Sequence, residues 1–497
     1  MCPGWRRRRF PGCFRTASTE TPLREDGGDV GSHVTALAVD LGSSSGRITA
    51  GTLQGGKVSQ VEVHRFTHGA AMADGHLAWD LDLIWREVVA GLTEAVAQFP
   101  HASSVSVDTW GVDWVPLDAE GQRLGAGRAY RDERTERTLA AFRRRLPDER
   151  AWELTGIAPA TINSANQMFA FLTEEPGLAE RTDQILFLPD HFTHLLSGER
   201  RWSRSIASTA GLCNPGATDW AEDVFDALEV PRRWVGELTH EHDEVGPCIV
   251  AGLEQLRVVR AGAHDTACAV HALPRDEATD SYFLSCGSWS VLGVARDEPL
   301  LTPQAHALGL TNEARGDRGV RPLFNITGLW ILQECQRQWG AEGRDADIVS
   351  LVKAATRAES LGLLIDPDEP QFAAPGDMVA RVTVALSQQG APFDVSQGQV
   401  VRAILESLAH RYARGVADLA DLTGTRATQL NMTAGGSRNP LLCQLTADAL
   451  QVPVIAGPAE ASTLGSLLAQ FEITGHLDPQ DRNHVIARSA QTIRYAP

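Results

Sequence analysis

The stretch VTALAVDLGSSSGRITAGTLQGGKVSQVEVHRF, residues 34–66, decides the fold. It contains three β-like runs, VTALAVDL, RITAGTL and KVSQVEVHRF, joined by the short links GSSSG and QGG. Alternating runs closed by Gly-rich links predict an antiparallel meander. Downstream, DLDLIWREVVAGLTEAVAQF places Leu81, Ile84, Trp85, Val88, Leu92 and Val96 on one stripe, the pattern of an amphipathic helix. SVSVDTW, residues 104–110, then reads as a buried strand, so the chain opens as a mixed α/β unit.

The same pattern returns later. TDSYFLSCGSWSVLGVARD, residues 279–297, is again two β runs across a Gly/Ser turn. A long helix is predicted from Ser396, which forms a capping box with Gln399. In TQLNMTAGGSRNPLLCQLTADAL a strand meets a Gly-Gly turn and then a helix with Asn439 as N-cap and Pro440 at N1. Two similar halves follow, divided near residues 245–262. Residues 34–250 form the expected N-terminal domain and 251–480 the C-terminal one. Residues 1–33, Arg-rich and acid-free in the first nineteen, are expected to be a disordered leader, and 481–497 a tail.

Composition narrows the partners. The 497 residues are long enough for two or three domains, and 43% hydrophobic content supports substantial cores. A formal charge of -18 argues against nucleic acid or an anionic membrane as partner, and no window is apolar for long enough to span a bilayer. The scattered cysteines, with no CxxC, read as buried thiols of a cytoplasmic protein. HEHDE, residues 240–244, lacks HExxH spacing and reads as a solvated polar face rather than a metal site.

Turns rich in Gly and Ser expose backbone N–H groups and hydroxyls that suit phosphate oxygens. Ser43–Arg47 and Cys286–Ser288 could grip one nucleotide from opposite halves, with Gly435-Gly436 and the Asn439 helix start receiving the nucleoside. Lys57 and Lys353 are the only lysines, and neither sits in a P-loop or a protein-kinase arrangement. Phosphate charge must therefore be met by backbone amides, magnesium and Arg47. GSSSG formally matches the hydrolase elbow with Ser44 as nucleophile, but a β-like run follows where that motif needs a helix. In VVRAGAHDTACAVHAL, residues 258–273, Asp265 stands at the head of an apolar helix and reads as its N-cap, which would keep its pKa low.

Taken in order, LAVDLGSSSGR, VDTWGVDWVPLD, YRDERT, LPDHFTHLLSG, GAHDTACAV, SCGSWSVLG, NITGLWILQE, AGGSRNPLLCQLTADAL and VPVIAGPAEASTLGSLLAQ resemble the FGGY carbohydrate kinases over about residues 36–470. The resemblance implies an α/β fold of two ribonuclease-H-like (actin/Hsp70-type ATPase) domains around a central cleft. It implies transfer of the ATP γ-phosphate, with Mg2+, to the 1-hydroxyl of L-rhamnulose in L-rhamnose catabolism. Another ketose (L-fuculose or L-xylulose) or an actin-like ATPase without a sugar acceptor are the alternatives, and the enzyme is expected as a monomer or homodimer. By the same resemblance Asp265 is the general base. Gly111, His264, Thr266 and Asn325 contact the sugar. Ser43, Ser44, Ser45, Gly46, Arg47, Ser288, Gln333 and Gly436 contact ATP, and Asp40 lies near magnesium. Asp40 also reads as a plain Asx-turn residue, and Trp110 and Trp114 equally as core or sugar-stacking rings.

Overall fold

The predicted meander forms through backbone pairing of Val34–Leu41 with Ser45–Gln54 and of Ser45–Gln54 with Lys57–Thr67, all antiparallel. The computed structural model describes residues 33–274, 281–392 and 394–497, so the leader expected at 1–33 lies, but for His33, outside the described residues. A six-stranded sheet runs in the order 243–247, 257–260, 102–109, 34–41, 45–54, 57–67. Val34–Leu41 pairs in parallel with Ala102–Thr109, which sets Asp40 beside Asp108. This register has chemical weight, because a slip of one residue between the strands would turn one of the two carboxylates to the other face.

A second sheet, seven-stranded, runs 311–314, 320–327, 289–295, 281–286, 430–433, 454–456, 493–495. Its central order repeats that of the first: an antiparallel three-strand meander followed by two parallel strands. The two halves inferred from the sequence are thus one architecture used twice. The local signals hold as well. Ser396 and Gln399 make both bonds of the capping box ahead of helix Gln397–Thr423, and Asn439 accepts from Leu442 N. Helix Leu81–Gln98 buries Leu81, Ile84, Val88 and Leu92. Each half has its own apolar core, and a third cluster forms where helix Ala461–Ile473 lies on the first sheet against Ala36 and Ala38.

The domain edges differ from the expected ones. Arg257–Arg260 pairs with Asp243–Pro247 and with Ala102–Thr109, so the first sheet continues past residue 250. Residues 481–497 are no loose tail: Arg482–Ser489 is a helix whose Ser489 Oγ accepts from Val58 N (2.8 Å), and Ile493–Tyr495 is an edge strand of the second sheet. Neither pairing has a local signal, since the partners lie far away in the chain.

HEHDE is only in part a solvated face: His240 and Glu244 are exposed, but the residues between them are covered to different degrees. Glu241 is buried and accepts from Ser205 N (3.0 Å). His242, at φ 65°, stacks edge-on to His271 at 4.7 Å. His271 Nε2 is 3.1 Å from Glu472 Oε2, and the Arg482 guanidinium reaches 3.3 Å from both that nitrogen and Glu472 Oε1. The guanidinium thus stands where a cation would have to sit, and the group is an enclosed ion-pair cluster.

Burial, with His271 and Arg482 nearby, pushes His242 down to about 4, while Asp317 and Glu472 pull the other way. The unfolded chain takes up this proton as pH falls below the ordinary histidine value, whereas the folded one resists until about 4. The residue's contribution is therefore complete above pH ~6.5 and is lost on acidification, a loss of roughly 3 kcal/mol by pH ~4. His242→Asn, which tolerates the positive φ, is expected to flatten the fall in unfolding free energy between pH ~7 and ~4.5 in urea titrations.

Candidate active site

Strand Ala102–Thr109 ends against the segment that carries Asp265. Thr109 N donates to Ala263 O (3.0 Å), and Thr109 and His264 form an isolated parallel bridge. Gly262 makes the bend possible, since a Cβ there would lie 2.8 Å from Cys268 Sγ. Ser205 Oγ accepts from Ala263 N (3.1 Å) and His264 N (3.2 Å), tying the bend to the first half.

The helix starts one residue earlier than a cap at Asp265 would require. His264 holds the N-cap position without a side-chain cap bond, and Asp265 is the first helical residue. The expected capping role of Asp265 is therefore not made. Thr266 Oγ1 donates to Asp265 Oδ1 (3.0 Å), and His264 Nε2 lies 3.3 Å from the same oxygen. The expected low pKa is reversed too. Enclosure by protein raises it above the ordinary carboxylate value, His264 pulls it back, and Asp40 pushes it further up.

Asp40 is buried and is not an Asx-turn residue. Its Oδ2 accepts from Ser462 Oγ (2.6 Å) and Thr463 Oγ1 (3.0 Å), both in the first turn of helix Ala461–Ile473. Arg47 Nε lies 3.5 Å from the same oxygen, and the Arg47 guanidinium pairs with Glu460. Asp108 is fully buried, and neither of its oxygens has a hydrogen-bond partner among the described residues. The neighbouring Cys268 thiol donates instead to Gly262 O (3.1 Å). Burial, then the charges of Asp40 and Asp265, push Asp108 well above the usual range, with Arg47 opposing. Three carboxylates from three elements thus feel one another's charge, with the Arg47 guanidinium beside Asp40. An unpartnered buried carboxyl and mutual repulsion are what a dication would relieve, so the residues fit Mg2+.

In the first Gly/Ser turn Gly42 N donates to Ser45 O (3.0 Å), leaving Ser43 and Ser44 exposed at the tip. Gly46 is required by packing, because a Cβ would fall 2.3 Å from the Phe66 ring. In the second turn Ser288 Oγ donates to Gln333 Oε1 (2.7 Å). Gly436 closes on that turn so tightly that a Cβ would lie 2.3 Å from Cys286 Sγ. Ala434, just before it, adopts φ 60°, ψ -165°, a conformation normally left to glycine. No hydrogen bond or ion pair among the described residues joins Ser288, Gln333 or Gly436 to Asp40 or Asp265.

On the other flank, a Cβ on Gly111 would lie 3.3 Å from His264 Nε2. Val112 next to it has φ 66°, a strained value for a β-branched residue, and is held by Thr209, Ser164 and Gln167. Trp110 and Trp79 both donate to Asp113 Oδ2, at 2.9 and 2.7 Å, so Trp110 belongs to the core, as does buried Trp114. Asn325 is exposed, on the strand that also carries Arg321. Arg321 Nη2 lies 2.5 Å from His264 Nδ1 and 2.8 Å from Glu313 Oε2.

The sequence reading assigned no role to Asp108, Glu313, Arg321, Ser462 or Thr463. Only Asp108, a carboxylate inside an otherwise uncharged buried strand, carried a local signal.

Residues 35–271 match the N-terminal domain of the FGGY family of carbohydrate kinases, and residues 282–472 match its C-terminal domain. The chain belongs to the FGGY family of carbohydrate kinases. As an FGGY kinase it is an ATP-dependent sugar kinase. It is 36% identical over 466 residues to the rhamnulokinase of Pectobacterium atrosepticum, covering 93% of this chain and 92% of the relative. It is 34% identical over 472 residues to that of Bacteroides thetaiotaomicron, covering 93% and 95%. Among solved structures it is similar to the xylulose kinase from Rhodospirillum rubrum (TM-score 0.75, 19% identity, 94% of each chain). It is also similar to Plasmodium falciparum glycerol kinase with ADP (TM-score 0.76, 14% identity, 94% and 95% covered). These establish for this FGGY kinase the two-domain α/β sugar-kinase fold that the sequence predicted. Among the described residues no helix is long and apolar enough to cross a membrane.

Proposed function

We propose that this FGGY kinase transfers the γ-phosphate of ATP to the 1-hydroxyl of L-rhamnulose, giving L-rhamnulose 1-phosphate and ADP. The observation that carries the reading is the setting of Asp265: next to His264, which touches Thr109 of the first sheet and Arg321 of the second, bonded by Thr266, and within reach of the charge of Asp40. The full-length similarity to rhamnulokinases supports the choice of sugar.

Asp265 acts as the general base. Thr266 and His264 both engage Oδ1, which leaves Oδ2 to accept the proton of the sugar hydroxyl. A pKa raised toward working pH makes a better proton acceptor than the capped, strongly acidic carboxylate expected from sequence. Gly111 permits the sugar to approach the His264 ring, because no side chain intervenes. Asn325 offers an amide from the second half.

Ser43, Ser44, Ser45 and Gly46 present backbone amides and hydroxyls to the phosphates from the first half, and Arg47 adds charge. Ser288, Gln333 and Gly436 receive the nucleotide from the second. Asp40, with Asp108 behind it, would hold magnesium, which neutralises phosphate charge during a transfer that depends chiefly on positioning. The lysine-poor composition is consistent with this division of labour.

An ADP-release assay over a ketose panel tests the reading. The kcat/KM for L-rhamnulose is expected to exceed that for L-fuculose and L-xylulose by about 10-fold or more, the discrimination a few hydroxyl contacts give. A higher value for another ketose would reassign the substrate, and sugar-independent turnover equal to the stimulated rate would make the protein an ATPase.

A further inference from the structure

We infer that Arg321 and Glu313 are positioning residues: reaching from the second sheet, they fix His264 in the tautomer that donates its Nε2–H to Asp265. The inference deepens the proposed function and rests on Asp265 being the base.

The argument begins with what each group can donate. A guanidinium carries only donors and stays charged in proteins. Arg321 Nη2 lies 2.5 Å from His264 Nδ1, so that nitrogen must present its lone pair. A neutral imidazole with a bare Nδ1 carries its proton on Nε2. Nε2 is the atom 3.3 Å from Asp265 Oδ1 and is the one turned toward Gly111. The ring therefore works as a fixed donor, with its orientation set from behind.

The geometry behind it is rigid. Arg321 is fully buried, its Nε donates to Ala314 O (3.0 Å), and its Nη2 lies 2.8 Å from Glu313 Oε2. Glu313 also lies 3.4 Å from His264 Nδ1, farther than Arg321 does, and its nearer partner is the guanidinium. Glu313 neutralises a cation that would otherwise stand unpaired in the interior, a costly arrangement. Strands Thr311–Ala314 and Val320–Thr327 pair with each other, so the two side chains are delivered as one unit.

The chain of contacts also crosses the molecule. Glu313 and Arg321 belong to the second sheet, whereas His264 is bridged to Thr109 of the first. Separating the halves would withdraw the guanidinium and free the ring to take either tautomer. The base is thereby held in working order only while the two halves are together.

The test uses full-length protein labelled with 15N-histidine, the His264 signals being assigned by their loss in His264→Gln. Wild type is expected to show His264 with a bare Nδ1 and a protonated Nε2. Glu313→Gln combined with Arg321→Met removes both charges together, which avoids stranding either one. That variant is expected to show mixed tautomers and a kcat about 10-fold or more lower, with the KM for the ketose changed less than about threefold. Arg321→Lys should recover part of kcat. A protonated Nδ1 in wild type, or a double variant with unchanged His264 signals or kcat within about twofold of wild type, would overturn the inference. Should the double variant not fold, the wild-type and Arg321→Lys spectra still decide it. Wild type that phosphorylates no ketose would refute the functional reading, while the tautomer comparison would continue to judge this one.

Discussion

Asp265→Asn is expected to lower kcat about 10³-fold or more while leaving nucleotide affinity within about threefold of wild type. Asparagine keeps the size and the contact from Thr266 but has no basic oxygen for the acceptor proton. The measurement is single-turnover phosphorylation with a nucleotide-binding titration alongside. Unchanged kcat would remove Asp265 from the chemistry. Because the folded-state pKa of Asp265 is raised, the base is protonated and inactive at low pH, and kcat/KM should climb as pH passes through a value above that of an ordinary aspartate.

Gly465→Ala has the second large expectation, and it arises from packing. Gly465 lies on helix Ala461–Ile473, where a Cβ would fall 1.8 Å from Cys268 O, 2.7 Å from Cys268 C and 3.2 Å from Ala272 N. These are backbone atoms of the helix that begins at Asp265, so no rotamer change relieves the collision. The helices must part, at a cost of about 3 kcal/mol or more. The same parting drags Asp265 away from Asp40, because Ser462 and Thr463 sit on the displaced helix. Loss of both thermal stability and turnover is expected. Gly177→Ala serves as the control: nothing lies within 4 Å of its Cβ, and its melting temperature should hold or rise. Normal stability in Gly465→Ala would refute the packing argument.

Features written within a few residues were legible before any coordinates. The 34–67 meander, the Ser396 capping box, the Asn439 cap and the Leu81–Leu92 stripe all depend on short-range chemistry, and all formed. What escaped depends on partners far along the chain. HEHDE looked solvated because its cover, Ser205, His271 and Glu472, arrives from distant elements. Asp265 looked like a cap because Asp at a helix start usually is one; a shift of one residue moved that position to His264. Glu313 and Arg321 sit in a strand pair with no motif, and only the meeting of the two halves brings them to His264.

The closing segment of the chain has a practical consequence. Arg482–Ser489 is anchored to the first sheet, and Ile493–Tyr495 covers Val454–Ala456 at the rim of the second. Clipping the chain after residue 480 would strip that rim of its last strand and expose unpaired amides and carbonyls, a template for self-association. Affinity handles and fusion partners attached at this end therefore need a spacer that spares the strand, and preparations that have lost it to proteolysis should precipitate first.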